Sequence, residues 1–446
     1  MRKTLLFFAS AFFFSNVVAQ EILSLNDCIR LGLKQNLTLE SSRNELEKSK
    51  HSVSENRANL LPKLNAFANF NDNFNPPVSV TDGSSYGKPY NVTNTLQFNA
   101  VGGLQFSMPL YNQTLYTSMN VVKLVNKIST INYEKAKRDL VLQITQMYYV
   151  GQTTMEQLEL IRSNIARMEA LKSITQALYD NDMTLEVDVQ RVDINLRTLK
   201  VQCDNVEAMF EQQLNTLKYV IDYPLEKNIS LVAADVNNIE EIELTGLSPA
   251  LYELEMLKKQ SELAIQRKKM IGNGYLPSLH LTGNWNYTAF TDKFKNWFHS
   301  GPSNHWYNSN GIGLSLRIPI FDGFDKKYKT KKAKLDIANA RLMEENAYKS
   351  MEMQYINATK DLMNNKRNLK KNKENCELAE KVYAVTSDRY KEGIVMMTEV
   401  LQDEMQMVAA QNNYLSAFLN YRLSSLTLLK LTNNVEKLIP ASEEKK

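Results

Sequence analysis

Apolar and polar positions alternate with a period of two residues in two parts of this chain, and each part is followed by a long segment with a period of seven. The first alternating part opens at Leu61-Pro62 and ends at 108–112, Met-Pro-Leu-Tyr-Asn. The second opens at Leu276-Pro277 and ends at 318–322, Ile-Pro-Ile-Phe-Asp. A period of two is typical of strands and a heptad of paired helices. The pattern therefore predicts a β-hairpin followed by long helices, twice.

The clearest heptad register also occurs twice. In the first half it runs through positions spaced three and four residues apart: Val189, Val192, Leu196, Leu199, Cys203, Val206, Phe210, Gln213 and Leu217. Adding 211 to each number gives a second series: Val400, Asp403, Met407, Ala410, Tyr414, Ala417, Tyr421, Ser424 and Leu428. A shared phase over about four heptads indicates an internal duplication of roughly 210 residues.

Four strands are predicted, at 64–74, 95–108, 278–288 and 311–318. One face of each is apolar, and the other carries mainly Asn, Gln, Ser, Thr and Gly. Their lengths fit membrane strands, which need about 9–11 residues when tilted. A soluble sandwich is the alternative, but the uncharged polar face favours a water-filled lumen. Four strands would also leave open edges, so several chains must pool them. The hairpin loops, at 75–94 and 290–310, suit an extracellular side.

The heptad segments predict two helices far longer than a globular core. The segment 113–178 contains no proline and only Gly151, and the segment 324–389 contains neither residue type. Each would run about 100 Å at 1.5 Å per residue. Shorter helices are expected at 25–59, 184–220, 250–271 and 398–431. The segment 221–249, which contains Pro224, Gly246 and Pro249, joins the two repeats.

Residues 1–19 read as a secretory signal, with a charged start, an apolar run and a small-residue cleavage site. An N-terminal anchor is the alternative, but the apolar run is too short to cross a bilayer. No other segment has eighteen consecutive apolar residues, so a membrane span would have to be β. The formal charge of +4 over 446 residues gives no indication of nucleic-acid binding.

The chain lacks the residue patterns of an enzyme. It has no H-E-x-x-H, G-x-S-x-G or P-loop sequence, so neither catalysis nor a cofactor is expected. The three cysteines are far apart and odd in number, which favours buried free thiols over a disulfide. His299 and His305 lie near tryptophans, but a metal pair there is a weak hypothesis. A soluble secreted enzyme is therefore disfavoured.

Acidic residues gather at the two predicted helix turns. The first turn has no basic residue among its carboxylates: Asp180, Asp182, Glu186 and Asp188. The second turn mixes carboxylates with bases: Arg389, Lys391, Glu392, Glu399, Asp403 and Glu404. Solvated helix ends explain most of them. Asp403 differs, because it occupies a heptad position where its repeat counterpart is Val192, and a buried carboxylate is costly unless it is hydrated or paired. Acidic rings would favour cations if several chains converged here.

Several short motifs, in order along the whole mature chain, resemble the TolC-type outer-membrane efflux protein family. They are 25–30 (Leu-Asn-Asp-Cys-Ile-Arg) through Gln35-Asn36, both Leu-Pro strand openings, both strand-to-helix corners (109–112 and 319–322) and 389–393 (Arg-Tyr-Lys-Glu-Gly). The resemblance implies an α+β membrane protein and a homotrimer. Each chain would give four strands to one twelve-stranded barrel in the outer membrane, continuous with a periplasmic α-helical barrel.

The corresponding domain organisation follows the duplication. The signal covers 1–19 and the first repeat 20–220. An equatorial linker covers 221–249, the second repeat 250–432, and a polar tail 433–446.

The resemblance also implies a periplasmic gate and a selectivity ring. Tyr390 matches the family's gate tyrosine, and Asp188 matches its aspartate partner. Glu399 falls on the first ring aspartate, and Asp403 lies one position after the second.

This chain departs from the family pattern in three places. Gln402 occupies the second ring position, Val395 the gate arginine position, and Asp182 the glycine position of the first-repeat turn. We therefore expect a closed state held differently from that of the family.

The implied function is a passive exit duct that receives substrate from a periplasmic adaptor and an inner-membrane pump of RND or ABC type, with outer-membrane lipid around the barrel. Drug efflux and type I protein secretion remain equally compatible with the sequence. The alternative is a non-conducting periplasmic coiled-coil scaffold or adaptor, from which the two predicted membrane hairpins distinguish the duct.

Overall fold

The computed structural model describes residues 21–94, 96–235, 245–298 and 306–439. The predicted signal segment, His299, His305 and the last part of the predicted tail lie outside these ranges. The described strands are β1 (Glu21–Leu23), β2 (Lys63–Asp72), β3 (Val78–Asp82), β4 (Tyr90–Asn94), β5 (Phe98–Asn112), β6 (Ile229–Leu231), β7 (Ser278–Thr291) and β8 (Trp306–Arg317). The α-helices are α1 (Leu25–Gln35), α2 (Leu37–Ala58), α3 (Gln113–Asp180), α4 (Glu186–Val220), α5 (Tyr252–Asn273), α6 (Asp325–Lys391) and α7 (Met397–Leu431).

Contacts divide the chain into two units. One contains residues 1–44, 131–255 and 345–446, and the other contains residues 45–130 and 256–344. No helix in the described ranges is both long and apolar enough to cross a membrane.

The second unit contains a four-stranded antiparallel sheet in the order β2-β5-β7-β8, so β2 and β8 are its edges. The register aligns the apolar positions into rows, one of which is Leu64, Phe106, Gly283 and Ile312. The neighbouring row is polar: Asn65, Gln105, Asn284 and Gly311. Because neighbouring residues of a strand point to opposite sides, the sheet has one apolar and one polar face.

The sheet differs in detail from the sequence prediction. The strand predicted at 95–108 is β5, which begins at Phe98 and continues past Pro109 to Asn112, with an irregular register between Pro109 and Tyr111. Proline has no backbone N–H for the ladder, so a bulge there is the expected consequence. The predicted loop at 75–94 contains a further hairpin, formed by β3 and β4. The loop at 290–310 is shorter than expected, because β7 runs to Thr291 and β8 begins at Trp306.

The helix predicted at 25–59 is two helices, divided at Asn36. The Asn36 side chain donates to the carbonyl of Val220 at 2.8 Å and accepts from the amide of Leu39 at 2.9 Å. It therefore caps α2 while it holds the break against the end of α4. The start of α1 has a capping box, in which Ser24 and Asp27 bond each other's backbone amides.

The first unit has a hydrophobic core where β1 and α1 meet the predicted linker. Strands β1 and β6 pair in parallel there. Ile29, Ile144 and Ile221 are fully buried in the same cluster. All three cysteines are free thiols, and burial raises the pKa of Cys28 to about 12. The segment that the sequence assigned to a linker thus contributes to the core.

Candidate functional site at the helix turns

The two helix turns of the first unit share one backbone geometry. Gly393 has a positive φ of 75°, and its amide donates to the carbonyl of Tyr390 at 2.9 Å. Asp182 has a φ of 59°, and its amide donates to the carbonyl of Tyr179 at 2.9 Å. The following amide in each turn also bonds back to the helix end. Asp182 therefore takes the left-handed conformation that glycine takes in the second turn, although an L-residue with a Cβ adopts it at a cost.

Tyr390 lies inside the protomer. It is 5% exposed and packs in a cluster that includes Met168, Val192 and Met397. Its hydroxyl has no hydrogen-bond partner among the residues that the structure describes. A buried hydroxyl without a partner is uncommon in folded proteins, because its desolvation is not offset.

Asp188 is engaged elsewhere. Its side chain, 17% exposed, accepts from the hydroxyl of Thr184 at 3.1 Å and from the guanidinium of Arg191 at 3.1 Å. The single chain therefore does not join Asp188 and Tyr390 by a hydrogen bond. Since an ionised carboxylate has about four acceptor positions, Asp188 retains capacity for another donor.

The two predicted ring residues have different surroundings. Glu399 is exposed in the first turn of α7. Asp403 is half-buried and accepts from the hydroxyl of Thr386 at 2.7 Å. The heptad position of Asp403 is thus tolerated because its carboxylate is paired. Val395, at the position of the family arginine, packs partly buried against the Tyr390 cluster and supplies no charge.

Glu404 is the buried carboxylate that the sequence reasoning did not single out. It is 5% exposed, and one of its oxygens, Oε1, has no partner in the described part of the chain. Burial raises the pKa of Glu404, while the charge of Arg167 acts in the opposite direction. Its spacing in the sequence could have indicated this burial, because Glu404 lies four residues after Val400 and three before Met407, both of which are buried.

A polar network extends from Arg167 to the exposed Glu380 through the buried side chains of Asn164 and Gln411. Arg167 donates to Asn164, and the Asn164 amide donates to Gln411 at 3.1 Å. Gln411 in turn donates to Glu380 at 2.9 Å. These side chains come from α3, α6 and α7, so the network links three helices just beyond the turns. Across the described ranges, no group of three or more His, Cys, Asp or Glu residues is placed to hold a metal ion.

Comparison with known proteins identifies relatives along nearly the whole chain. The model of the outer membrane efflux protein family matches residues 28–221 and 254–434. The outer membrane protein TolC of Vibrio cholerae is 22% identical over 390 residues, covering 84% of this chain and 83% of the relative. The outer membrane protein TolC of Escherichia coli is 20% identical over 424 residues, covering 88% and 81%.

Solved structures have the same fold. The CmeC outer membrane channel of Campylobacter jejuni superposes with a TM-score of 0.74 at 18% identity, covering 94% of this chain and 90% of that one. The open state of the MtrE outer membrane channel of Neisseria gonorrhoeae gives 0.72 at 20% identity, covering 92% and 88%. The chain therefore belongs to the outer membrane efflux protein family, and its location is the outer membrane.

Proposed function

We propose that this chain is one protomer of a trimeric exit duct in the outer membrane. The observation that carries the proposal is the four-stranded sheet, which has an exposed apolar face and two unpaired edges. Ile312 is 87% exposed in the single chain, and Leu314 and Leu316 on the same face are also exposed. Such a face is unfavourable in water and suited to lipid.

The open edges require that several chains contribute to one barrel. A sheet in a bilayer must close, because unpaired backbone groups cannot be satisfied by lipid. Four strands are too few for a barrel, so several chains must contribute, and the resemblance to the TolC-type family implies three chains and twelve strands, with β8 of one protomer beside β2 of the next. The polar face, with Asn65, Gln105 and Asn284, would then line a water-filled lumen.

The long helices α3 and α6 would continue from the strands into the periplasm as an α-helical barrel. A periplasmic adaptor and an inner-membrane pump of RND or ABC type would deliver substrate to its end, for either drug efflux or type I protein secretion. Because the duct itself has no energy source, it relaxes a gradient that the pump creates. The proposed domain boundaries remain those of the two repeats, 20–220 and 250–432, with the linker 221–249 between them.

The gate and the ring are part of the proposal. In the closed trimer, the orphan hydroxyl of Tyr390, which packs in one cluster with Val192 one turn after Asp188, would donate to Asp188 of the same protomer, which has acceptor capacity left. Glu399 and Asp403, each repeated three times, would form an acidic constriction that attracts cations. Adaptor contact would shift the population toward splayed helix ends.

Single-channel recording of the detergent-extracted protein in planar bilayers tests the duct. Discrete, cation-favouring steps are expected, and Glu399→Ala should reduce the reversal potential in a salt gradient because the ring loses three charges. Glu392→Ala is a control at the same turn, in an exposed residue that the ring proposal does not use. The non-conducting scaffold would be favoured if the folded trimer never conducts, even when Tyr390→Phe loosens its helix ends.

A further inference from the structure

The first three turns of α6 carry an unusual density of lysine directly after the last sheet strand. Ten residues, Asp325 to Lys334, contain six lysines, which we call the basic collar: Lys326, Lys327, Lys329, Lys331, Lys332 and Lys334. Two of them pair with carboxylates of the same segment, Lys326 with Asp322 at 3.0 Å and Lys329 with Asp325 at 2.7 Å. Within the described ranges, the other four make no ion pair with a carboxylate. The collar therefore has an uncompensated positive charge.

The architecture does not require this charge. Helix α3 leaves the sheet by the equivalent corner of the first repeat, and its first ten residues, Gln113 to Val122, contain no lysine or arginine. Both helices form with the same length to within one residue, 68 against 67. Since the corner and the helix form without lysines in one repeat, the lysines of the other repeat are not needed to form its corner and are available to bind a partner.

Exposed aromatic rings accompany the collar. The ammonium of Lys326 lies 5.1 Å from the ring centre of Tyr275, and that of Lys327 lies 5.1 Å from the ring centre of Phe324. Lys331 lies 5.8 Å from the ring centre of Tyr328. Rings with an apolar body beside long cationic side chains are typical of the level where a membrane meets water.

The collar surrounds the helix rather than marking one side. At about 100° per residue, its six positions leave no gap wider than about 100° around the axis. All but Lys326 are exposed in the single chain. Whichever side of α6 borders lipid therefore carries lysines, and the remaining ones are available for contacts within the assembly.

We propose that the basic collar binds the phosphate groups of anionic phospholipids in the membrane leaflet next to the helical end of the sheet. The inference rests on the proposed function for the sheet's place in the bilayer. From Lys326 to Lys334 the helix rises about 12 Å. The headgroup layer is about 5–7 Å thick on each side of the hydrocarbon, and lysine side chains extend toward it. The first turns of α6 are therefore within reach of lipid phosphates, and the contact would fix the depth of the protein in the membrane.

The test compares lipid retention by the full-length protein. Wild type and the variant Lys327→Gln/Lys331→Gln/Lys332→Gln would be incubated with equal amounts of phosphatidylglycerol and phosphatidylethanolamine, and bound lipids counted by native mass spectrometry. Glutamine keeps the helix propensity and removes the charge. Since each lysine near an anionic surface contributes about fivefold, the variant should lose at least tenfold of the preference for phosphatidylglycerol.

A matched control lies further along the same helix. Lys360, Lys370 and Lys371 are exposed, and their triple replacement by glutamine removes the same charge. The control should keep the preference. An equal loss in the control would overturn the proposal by reducing the preference to general charge attraction. A retained preference in the collar variant would overturn it by showing that these lysines do not bind the lipid.

Bilayer conductance of the same preparations separates this inference from the proposed function. Unchanged unit conductance in the collar variant, with lipid preference lost, supports a lipid-facing collar. Changed ion selectivity with unchanged lipid preference would place the lysines against the permeating solute and overturn it. A wild type that selects phosphatidylglycerol but never conducts would support the collar and reject the duct.

Discussion

The hydroxyl of Tyr390 offers the sharpest test of the proposed gate. It is buried in the single chain and has no hydrogen-bond partner among the described residues, which costs about 1–3 kcal/mol relative to a satisfied group. If it stayed without a partner in the assembly, Tyr390→Phe would be neutral or stabilising. If Asp188 of the same protomer accepts from it in the closed assembly, the variant loses a hydrogen bond to a charged group, about 1.5–3 kcal/mol per protomer.

Three such bonds would hold the proposed trimer closed, so the effect on gating multiplies. At the lower figure the closed state loses about 4.5 kcal/mol, and this shifts the equilibrium between closed and open ends about a thousandfold. We expect Tyr390→Phe to convert rare, small conductance steps into sustained, larger ones. Open probability in planar bilayers measures this directly, and thermal unfolding in detergent reports protomer stability separately.

Tyr383→Phe is the matched control for this experiment. Tyr383 is buried in the same cluster, two helical turns earlier on α6. Removal of the Tyr383 hydroxyl should leave the open probability near the wild-type value. A Tyr390→Phe protein with a higher unfolding temperature and unchanged open probability would show that the hydroxyl is an orphan in the trimer too, and the gate assignment would be wrong.

Other expected outcomes concern buried charge, backbone and lipid contact. Burial raises the pKa of Glu404, so the stability linked to its protonation is complete below the pKa in the unfolded chain and is lost as pH rises through the pKa in the folded protein. Glu404→Gln should therefore raise the unfolding temperature more at pH 8 than at pH 4. An equal shift at both pH values would contradict this reasoning. Asp182→Gly should stabilise by about 0.5–1 kcal/mol and Gly393→Ala destabilise by about 1 kcal/mol, measured by thermal unfolding, because both positions have positive φ. Ile312→Lys on the apolar face should cost about 2–4 kcal/mol and reduce outer-membrane assembly, whereas Ser315→Lys on the other face should be tolerated, and equal assembly of the two would remove the lipid-facing assignment.

Much of the architecture is predictable because its periodic segments are long and each shows one clear period. The four sheet strands and the helices α3 and α6 form where alternation and heptads predict them. Elements that depend on distant partners were not predictable in this way. Strands β1 and β6 have three residues each and are separated by about 200 residues, so no local period reports them. The break at Asn36 likewise depends on its bond to Val220.

The candidate site shows a different limit, because the sequence pattern does not distinguish which of two adjacent residues is buried. A heptad stripe is broad enough that Asp403 and Glu404 are both reasonable buried positions. The structure buries Glu404 and pairs Asp403 with Thr386 instead. The partner of Asp403, the Thr386 hydroxyl, lies on α6, seventeen positions earlier in the chain. No pattern within α7 predicts that contact.

The duplication repeats the backbone of the two turns but not their chemistry, and this difference predicts how protomers meet. Tyr390 is buried, whereas its counterpart Tyr179 is 37% exposed. The first turn carries only acidic charges near Asp180, while the second ends in Arg389 and Lys391. In a cyclic ring each protomer meets the next through unlike surfaces, so the turns of neighbouring protomers alternate, and we expect this contact to set the acidic charges of the first turn against Arg389 and Lys391 of the second. Lys391→Glu should then raise open probability, and adding Asp180→Lys in the same chain should restore the closed state; no restoration would mean that these two charges do not face each other.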